Sequence, residues 1–154
     1  MFDRLMNFLN RQDSHAGQSE DLRASVAVLL LEAAHRSDHF GPDDRALIER
    51  LLAERFGLSK EQCAQLVAAS EAKVEQLVQR QPYTHTIFTH MTTEERIQVI
   101  EMLWEVVYAD GVLDPEEDML IRRVGGLIDV TDRDRVLARQ RVVARTIGAR
   151  AAPK

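Results

Sequence analysis

A segment that occurs twice places the strongest constraint on the fold of this chain of 154 residues. One copy runs from Leu30 to Asp44 and the other from Leu103 to Glu117. Each copy joins an apolar helical stretch to a short polar loop and a proline, and then opens into a second apolar stretch. The matching apolar positions of these second stretches are Leu47, Ile48 and Leu51 in one copy, and Leu120, Ile121 and Val124 in the other. The repeat predicts two similar helix-loop-helix units packed on each other.

Apolar residues elsewhere in the chain also recur at helical spacing, and no stretch alternates with the period of two that a strand requires. Hydrophobic residues make up 45% of the chain, while its 7 glycines and 4 prolines are too few for a sheet sandwich rich in turns. We therefore predict an all-α fold, a single helical bundle of about seven or eight helices built from two similar helix-loop-helix halves.

Capping residues, prolines and glycines set the expected helix boundaries. A short amphipathic helix carries Phe2, Leu5, Met6 and Leu9, and a polar linker follows from Gln12 to Gln18. The further helices are expected from Ser19 to about Arg36, Pro42 to about Arg55, Lys60 to about Arg80, after Thr92, Pro115 to about Leu127, and Asp132 to about Ile147. Gln81-Pro82 is expected to break the preceding helix, and Tyr83 to His90 is expected to be a connecting segment with at most one helical turn. The expected organisation is an N-terminal helix and linker (1–18), a helical domain (19–148) and a flexible tail (149–154).

Composition and missing motifs exclude several functions. The net charge of −5 offers no basic field that would attract nucleic acid. No signal peptide is visible, and no apolar run approaches the ~20 residues that span a bilayer. The single cysteine, Cys63, lies in a helical pattern and is expected to be a small buried apolar group in a cytoplasmic protein. Nucleotide-binding loops and nucleophile motifs are absent, which indicates a protein that is not an enzyme.

The loop of the second copy carries the chemistry most typical of a binding site. Asp110, Asp114 and Glu117 lie close together in sequence, and Glu105 precedes them by somewhat more than one helical turn. Divalent cations such as Ca²⁺ and Mg²⁺ prefer several oxygen ligands, and Gly111 permits the sharp turn that brings Asp110 back toward Asp114. The four acids therefore form a candidate cation site, although their spacing is not that of an EF-hand.

Helix capping is the alternative explanation for part of this set. Asp114 is suited to the position before a helix, with Pro115 at the first helical position and Glu117 completing a capping box. Asp110 is different, because a negative charge at the C-terminal end of a helix is disfavoured by about 0.3–1 kcal/mol. Either a cation or an arginine from elsewhere in the fold is expected to offset that cost.

The first copy of the segment has lost part of the acidic set. Ser37 replaces Asp110 and Gly41 replaces Asp114, whereas Glu32 and Asp44 match Glu105 and Glu117. We expect one site at the second loop, with Glu32, Asp38 and Asp44 as weaker candidates in the first half.

The segment from Leu103 to Glu117, with the following Leu120 to Arg123, resembles the TerB-like family of tellurite-resistance proteins. The N-terminal domain of a DnaJ-like membrane co-chaperone is similar. The resemblance covers about Asp21 to Ile147 and implies a helical bundle of two similar halves with an acidic surface. It also implies a role in tellurite resistance or wider stress responses, as a metal-binding or scaffolding component near the membrane. By motif position, Asp110, Asp114 and Glu117 correspond to the acidic site of that family.

Two functions remain open from the sequence. The first is a non-enzymatic module that binds a divalent cation at the second loop, with Ca²⁺ favoured and Mg²⁺ or Mn²⁺ as alternatives. The second is a metal-free scaffold that binds proteins through its acidic face and the groove between the halves. Protein partners are expected and nucleic acid is not. The N-terminal helix is expected to dock on the bundle or to bind a partner, and peripheral association with a membrane stays open.

Overall fold

Seven helices make up the regular structure of the described residues, and no strand occurs among them. The computed structural model describes residues 20–36, 40–76, 81–109 and 115–151, without the side chains of Gln81 and of residues 147–151. The helices are α1 (20–35), α2 (Pro42–Phe56), α3 (Lys60–Glu75), α4 (Gln81–His90), α5 (Thr93–Val107), α6 (Pro115–Leu127) and α7 (Asp132–Ala151). The all-α prediction is therefore confirmed.

Local capping chemistry explains where several helices begin and end. The Ser59 hydroxyl accepts the Gln62 N–H at 3.1 Å, and the Thr92 hydroxyl accepts the Glu95 N–H at 3.2 Å. The Gln62 and Glu95 side chains bond back to the cap N–H groups at 2.9 and 3.0 Å, which completes both predicted capping boxes. At the other end of α2, Gly57 adopts a left-handed φ of 65°, a conformation that favours glycine.

The structure corrects the prediction for residues 60–90. Helix α3 ends at Glu75 rather than near Arg80, and Gln81–His90 forms a helix of its own instead of a connecting segment. Pro82 was interpreted as a helix breaker, but it lies in the first turn of α4, where a backbone N–H has no acceptor within the helix. Thr84, Ile87 and Met91 follow each other at helical spacing and are buried. Tertiary burial therefore makes this short segment helical.

The last helix also differs from its predicted length. It continues beyond Ile147 to Ala151, although the sequence predicts that the helix ends near Ile147 and that residues 149–154 form a flexible tail. The predicted helix at Phe2–Leu9, the linker from Gln12 to Gln18 and the last residues 152–154 lie outside the described residues. The domain boundaries at residues 18 and 148 stay predictions.

Two helices, α1 and α5, supply most of the core. Every residue from Val26 to Leu31 is buried, so α1 is surrounded by protein through its middle turns. Helix α5 packs against α2, α6 and α7. Its largest core residue is Trp104, which is fully buried and donates its indole N–H to the Arg135 carbonyl of α7 at 3.3 Å. On α7, Ala138 and Val142 are the fully buried residues.

Several equivalent positions of the two sequence copies are buried alike, although Leu47 is half-buried and its equivalent Leu120 is buried. Leu30 and Leu103 are both fully buried, as are Ile48 and Ile121. Pro42 and Pro115 each begin a helix, as the repeat predicted. That the chain consists of two similar halves remains an interpretation of its sequence.

Replacing Trp104 with phenylalanine tests the packing of α7 on α5. The change keeps an aromatic ring but removes the bond to the Arg135 carbonyl and leaves a cavity, so we expect a loss of about 2 kcal/mol in the free energy of unfolding. Urea denaturation followed by circular dichroism measures it. Leu127→Ala, at an exposed position, is the control and is expected to cost much less. Equal losses in the two variants would contradict the assigned role of Trp104.

An ion pair between Arg55 of α2 and Glu95 of α5 makes the stability of the fold depend on pH. The Glu95 carboxylate accepts a hydrogen bond from the Thr92 N–H, and this bond lowers the pKa of Glu95. Partial burial raises that pKa, whereas Arg55, 2.7 Å away, lowers it further. Because the folded pKa lies below the unfolded value of about 4.3, this stabilisation is present above that pH and is lost as pH falls through the folded pKa.

We therefore expect Glu95→Gln to destabilise the protein at pH 7 and to reduce the decline of stability below about pH 4. Melting temperatures measured from pH 3 to pH 7 check this. Glu94→Gln removes the same charge from an exposed neighbour and serves as the control. A wild-type acid profile in Glu95→Gln would show that the pair contributes nothing.

Candidate functional site

The predicted site residues divide into those that the structure describes and those that it does not. Asp110, Asp114 and Asp38 lie outside the described residues. The four described members are Glu105 and Glu117 in the second half, and Glu32 and Asp44 in the first. The geometry of the second loop itself therefore stays a prediction, and the helices on either side of it can be examined directly.

Glu117 lies in the first turn of α6, immediately after the loop. It is only 3% exposed, although glutamate is rarely buried without an interaction that holds its charge. Glu116 and Asp118 share this turn, where the positive end of the helix dipole favours carboxylates. The carboxylate of Glu117 is thus held in place directly beside the loop that carries Asp110 and Asp114.

Glu105 lies in the last turns of α5 and forms an ion pair with the C-terminal helix. Its Oε1 atom accepts a hydrogen bond from Arg145 Nη2 at 2.8 Å. Glu101, one turn earlier, accepts from Arg141 Nε at 2.6 Å and lies 3.7 Å from Arg145 Nη1. The basic helix α7 therefore neutralises the acidic face of α5. A cation that took Glu105 as a ligand would compete with Arg145.

The first-half candidates have local partners. Asp44 Oδ2 accepts the Gly41 N–H at 2.9 Å and so closes the first turn of α2. Glu32 is 7% exposed and lies 3.4 Å from Arg36 Nη2, one helical turn along α1. Capping therefore accounts for the position of Asp44.

The end of the helix before the first loop lies close to the beginning of the helix after the second loop. Arg36, the last described residue before the first loop, lines one depression of about 190 Å³ together with Glu116, Met119, Leu120 and Arg123 of α6. The end of α1 thus faces the beginning of α6. This proximity of the two loop ends is a tertiary feature that the spacing of residues within either copy could not establish.

A groove separates α2 from α5 and α7. One part, of about 460 Å³, is lined by residues that include Leu51, Arg55 and Met102, and a second, of about 520 Å³, by residues that include Arg50, Tyr108 and Ala109. Glu105 and Arg145 line both parts, so their ion pair lies between them. The groove reaches Ala109, the residue before Asp110. Arg50 and Arg145 are therefore cations near the start of the second loop.

The sequence predicts that the arginine-rich last helix packs beside the acidic segment, but it does not identify the partner of each arginine. Arg139 Nε donates to the Tyr108 hydroxyl at 2.7 Å, and its guanidinium lies 5.6 Å from the centre of the Trp104 ring. A matched spacing in the sequence could have predicted the ion pairs between α5 and α7. Glu101 and Glu105 are four residues apart, and so are Arg141 and Arg145. Two such pairs on antiparallel or parallel helices can meet in register.

Other candidate ligands are dispersed over the described residues. No group of three or more histidine, cysteine, aspartate or glutamate side chains in that part of the chain is arranged to hold a metal ion. His35 packs on the Phe40 ring with a centroid distance of 4.3 Å, and His90 Nδ1 lies 3.0 Å from the Thr86 carbonyl in α4. Cys63 is buried, as predicted, and this burial, with the nearby charge of Glu49, raises the pKa of its thiol.

None of the helices in the described residues has the length and apolar character that crossing a bilayer requires. This observation concerns helices within that part of the chain alone.

Comparison with known proteins identifies the family. A family model described as tellurite resistance protein TerB matches residues 23–140, from α1 into α7. Searches of curated proteins and of solved structures found no significant match. The matched range covers well over half of the chain and contains all seven acidic residues of the predicted site. The chain therefore belongs to the TerB family of tellurite resistance proteins.

Proposed function

We propose that this TerB-family chain is a non-enzymatic module that binds a divalent cation at the loop between α5 and α6. Ca²⁺ is favoured, with Mg²⁺ and Mn²⁺ as alternatives, and the module acts in a stress or tellurite-resistance complex. The observation that carries the proposal is the buried position of Glu117, 3% exposed, directly after a loop with two further aspartates. A carboxylate held in place by packing is a ligand prepared for a hard cation.

The end of α5 supports the same proposal. The loop begins where α5 ends, after the Tyr108 N–H bonds to the Trp104 carbonyl at 2.9 Å. The C-terminal end of a helix carries partial negative charge, so it attracts a cation and disfavours an isolated aspartate. Asp110, Asp114 and Glu117 are the proposed ligands. The residues present thus have the oxygen chemistry that Ca²⁺ and Mg²⁺ prefer.

Glu105 has a conditional role in this proposal. Its carboxylate is bound by Arg145 at 2.8 Å, so it can become a ligand only when that arginine releases it. In the first half, Asp44 caps α2 and Glu32 pairs with Arg36, which leaves Asp38 as the candidate of that half whose surroundings are not described. One cation, at the second loop, is therefore the proposed stoichiometry.

Substitution of Asp110 tests the site. We expect Asp110→Asn to weaken cation binding by at least about tenfold, because the charge of the ligands sets the affinity of such sites. Isothermal titration calorimetry with Ca²⁺, Mg²⁺ and Mn²⁺ measures it. Asp43→Asn, in the first turn of α2 and exposed, removes an equal charge from the other loop and is the control. The absence of binding heat, with a melting temperature insensitive to a chelator, would contradict the proposal.

The role of Glu105 is tested by releasing it from its arginine. If Glu105 becomes a ligand, Arg145→Met frees the carboxylate and raises cation affinity several-fold. Arg141→Met is a matched control, since it removes the same charge from α7 but contacts Glu101 instead of Glu105. Calorimetric titration compares the two variants. Unchanged affinity in Arg145→Met, or an equal gain in both variants, would exclude Glu105 from the site.

The alternative function is a metal-free scaffold that binds a protein in the groove between α2 and the pair α5 and α7. The observation that favours it is the combination of apolar and charged lining, with Leu51 and Met102 beside Arg55 and Glu101. The Asp110→Asn variant separates the two functions. If the protein is a scaffold, Asp110→Asn captures fewer partners than the wild type in a crosslinking pulldown. The wild-type protein then shows no response to cations.

A further inference from the structure

The side of α7 that faces away from the bundle carries several apolar residues, together with the exposed polar residues Arg133 and Gln140. The helix packs on its neighbours through Arg135, Ala138 and Val142, which are buried and spaced three and four residues apart. On the opposite side, Val136, Gln140, Val143 and Ala144 follow at spacings of four, three and one. These four residues, with Arg139 at the edge, line a shallow depression of about 480 Å³. We refer to Val136, Leu137, Gln140, Val143 and Ala144 as the outer face of α7.

A helix at the surface of a protein normally presents polar residues to solvent. On the outer face Val136 and Leu137 are instead 41% and 37% exposed, and Gln140 is the one polar residue among the five. The other large apolar residues exposed in the described part are Phe88, Met119 and Leu127, on α4 and α6. Phe88 already has the Arg96 guanidinium 5.1 Å from its ring centre. Val136 and Leu137 are the two of the five exposed large apolar residues that are adjacent on one helix, so the outer face of α7 is a candidate docking surface.

We infer that this outer face is the docking surface for the N-terminal segment of the same chain, Phe2 to Leu9. That segment places Phe2, Leu5, Met6 and Leu9 at spacings of three, one and three, which is the apolar stripe of a helix that packs on another helix. On such a helix Phe8 lies next to Leu5 and widens this apolar side. The stripe and the outer face have matching chemistry, because each presents several apolar side chains on one side of a helix.

The length of the chain permits this docking. The described structure begins at Glu20, so residues 10–19 join the segment to α1. Ten residues span at most about 33–36 Å when extended. A domain of about 130 residues has a radius of gyration of about 14 Å, so the extended linker, together with the segment, reaches most of its surface from Glu20.

Helix formation in the segment is coupled to docking. Isolated helices shorter than about 12–15 residues are marginal in water, and Phe2 to Leu9 is shorter than that. Packing of the stripe on α7 supplies the apolar contact that makes the helix stable, and it covers Val136 and Val143 at the same time. The inference is independent of whether a cation is bound at the second loop.

Paramagnetic relaxation enhancement in the full-length chain tests the docking. A nitroxide label is attached to a cysteine introduced by Asn10→Cys, and Cys63 is protected from labelling by its burial. We expect the amide signals of Val136, Gln140 and Val143 to lose most of their intensity relative to the reduced label. The signals of Gln65 and Lys73 should be retained. These two residues line the depression next to Glu20, the nearest alternative docking surface.

Charged substitutions identify the contact. Val136→Glu with Val143→Glu, and separately Leu5→Glu, are expected to restore the lost intensities. Leu127→Glu, on the exposed end of α6, and Asn7→Glu, on the polar side of the segment, are the matched controls and should leave the intensity losses in place. Circular dichroism melting of each variant shows that the bundle itself is folded.

Three outcomes would overturn the inference. The first is that the outer face keeps its signal intensity, whether Gln65 and Lys73 lose theirs or no residue does. The second is a loss that persists in Val136→Glu with Val143→Glu. The third is a loss that appears when spin-labelled protein is mixed with separate isotope-labelled protein, since the occupant would then be a second copy of the chain.

Discussion

The packing of Trp104 against α7 is the interaction on which the rest of the structure depends. The indole is fully buried and its N–H bonds to the Arg135 carbonyl, so both the distance and the register between α5 and α7 are set at one point. From that point, Arg141 and Arg145 lie beside Glu101 and Glu105. A shift of α7 by one helical turn would leave these charges facing different neighbours. The electrostatics of the groove and of the loop edge are therefore a consequence of apolar packing.

The candidate site illustrates a competition between two uses of a carboxylate. At a helix N-terminus an acidic side chain can satisfy backbone N–H groups, as Asp44 does for Gly41. The same oxygen chemistry suits a divalent cation, and Glu117 occupies the matching position in the second half. Glu105 faces a third partner, Arg145. Position along the chain alone therefore does not establish whether an acid caps, pairs or ligates.

Local sequence chemistry predicted a large part of the fold. The capping boxes at Ser59 and Thr92, and the helices that begin at Pro42 and Pro115, depend on contacts within a few residues, and the structure confirms them. The failed prediction for residues 81–90 has a clear cause. Residues 81–90 were interpreted from the proline at position 82, whereas burial of Ile87 against the core favours a helix there. Propensity is a weak guide when tertiary packing opposes it.

The sequence by itself determined the fold class, the starts of several helices and the family, because helical periodicity, capping and motif spacing are local properties. It also identified an acidic set at the second loop and a basic last helix. Only the tertiary structure decided that Arg145 pairs with Glu105, that Glu117 is buried, and that the end of α1 faces the start of α6. These relations join residues far apart in the chain, and their geometry depends on how whole helices pack.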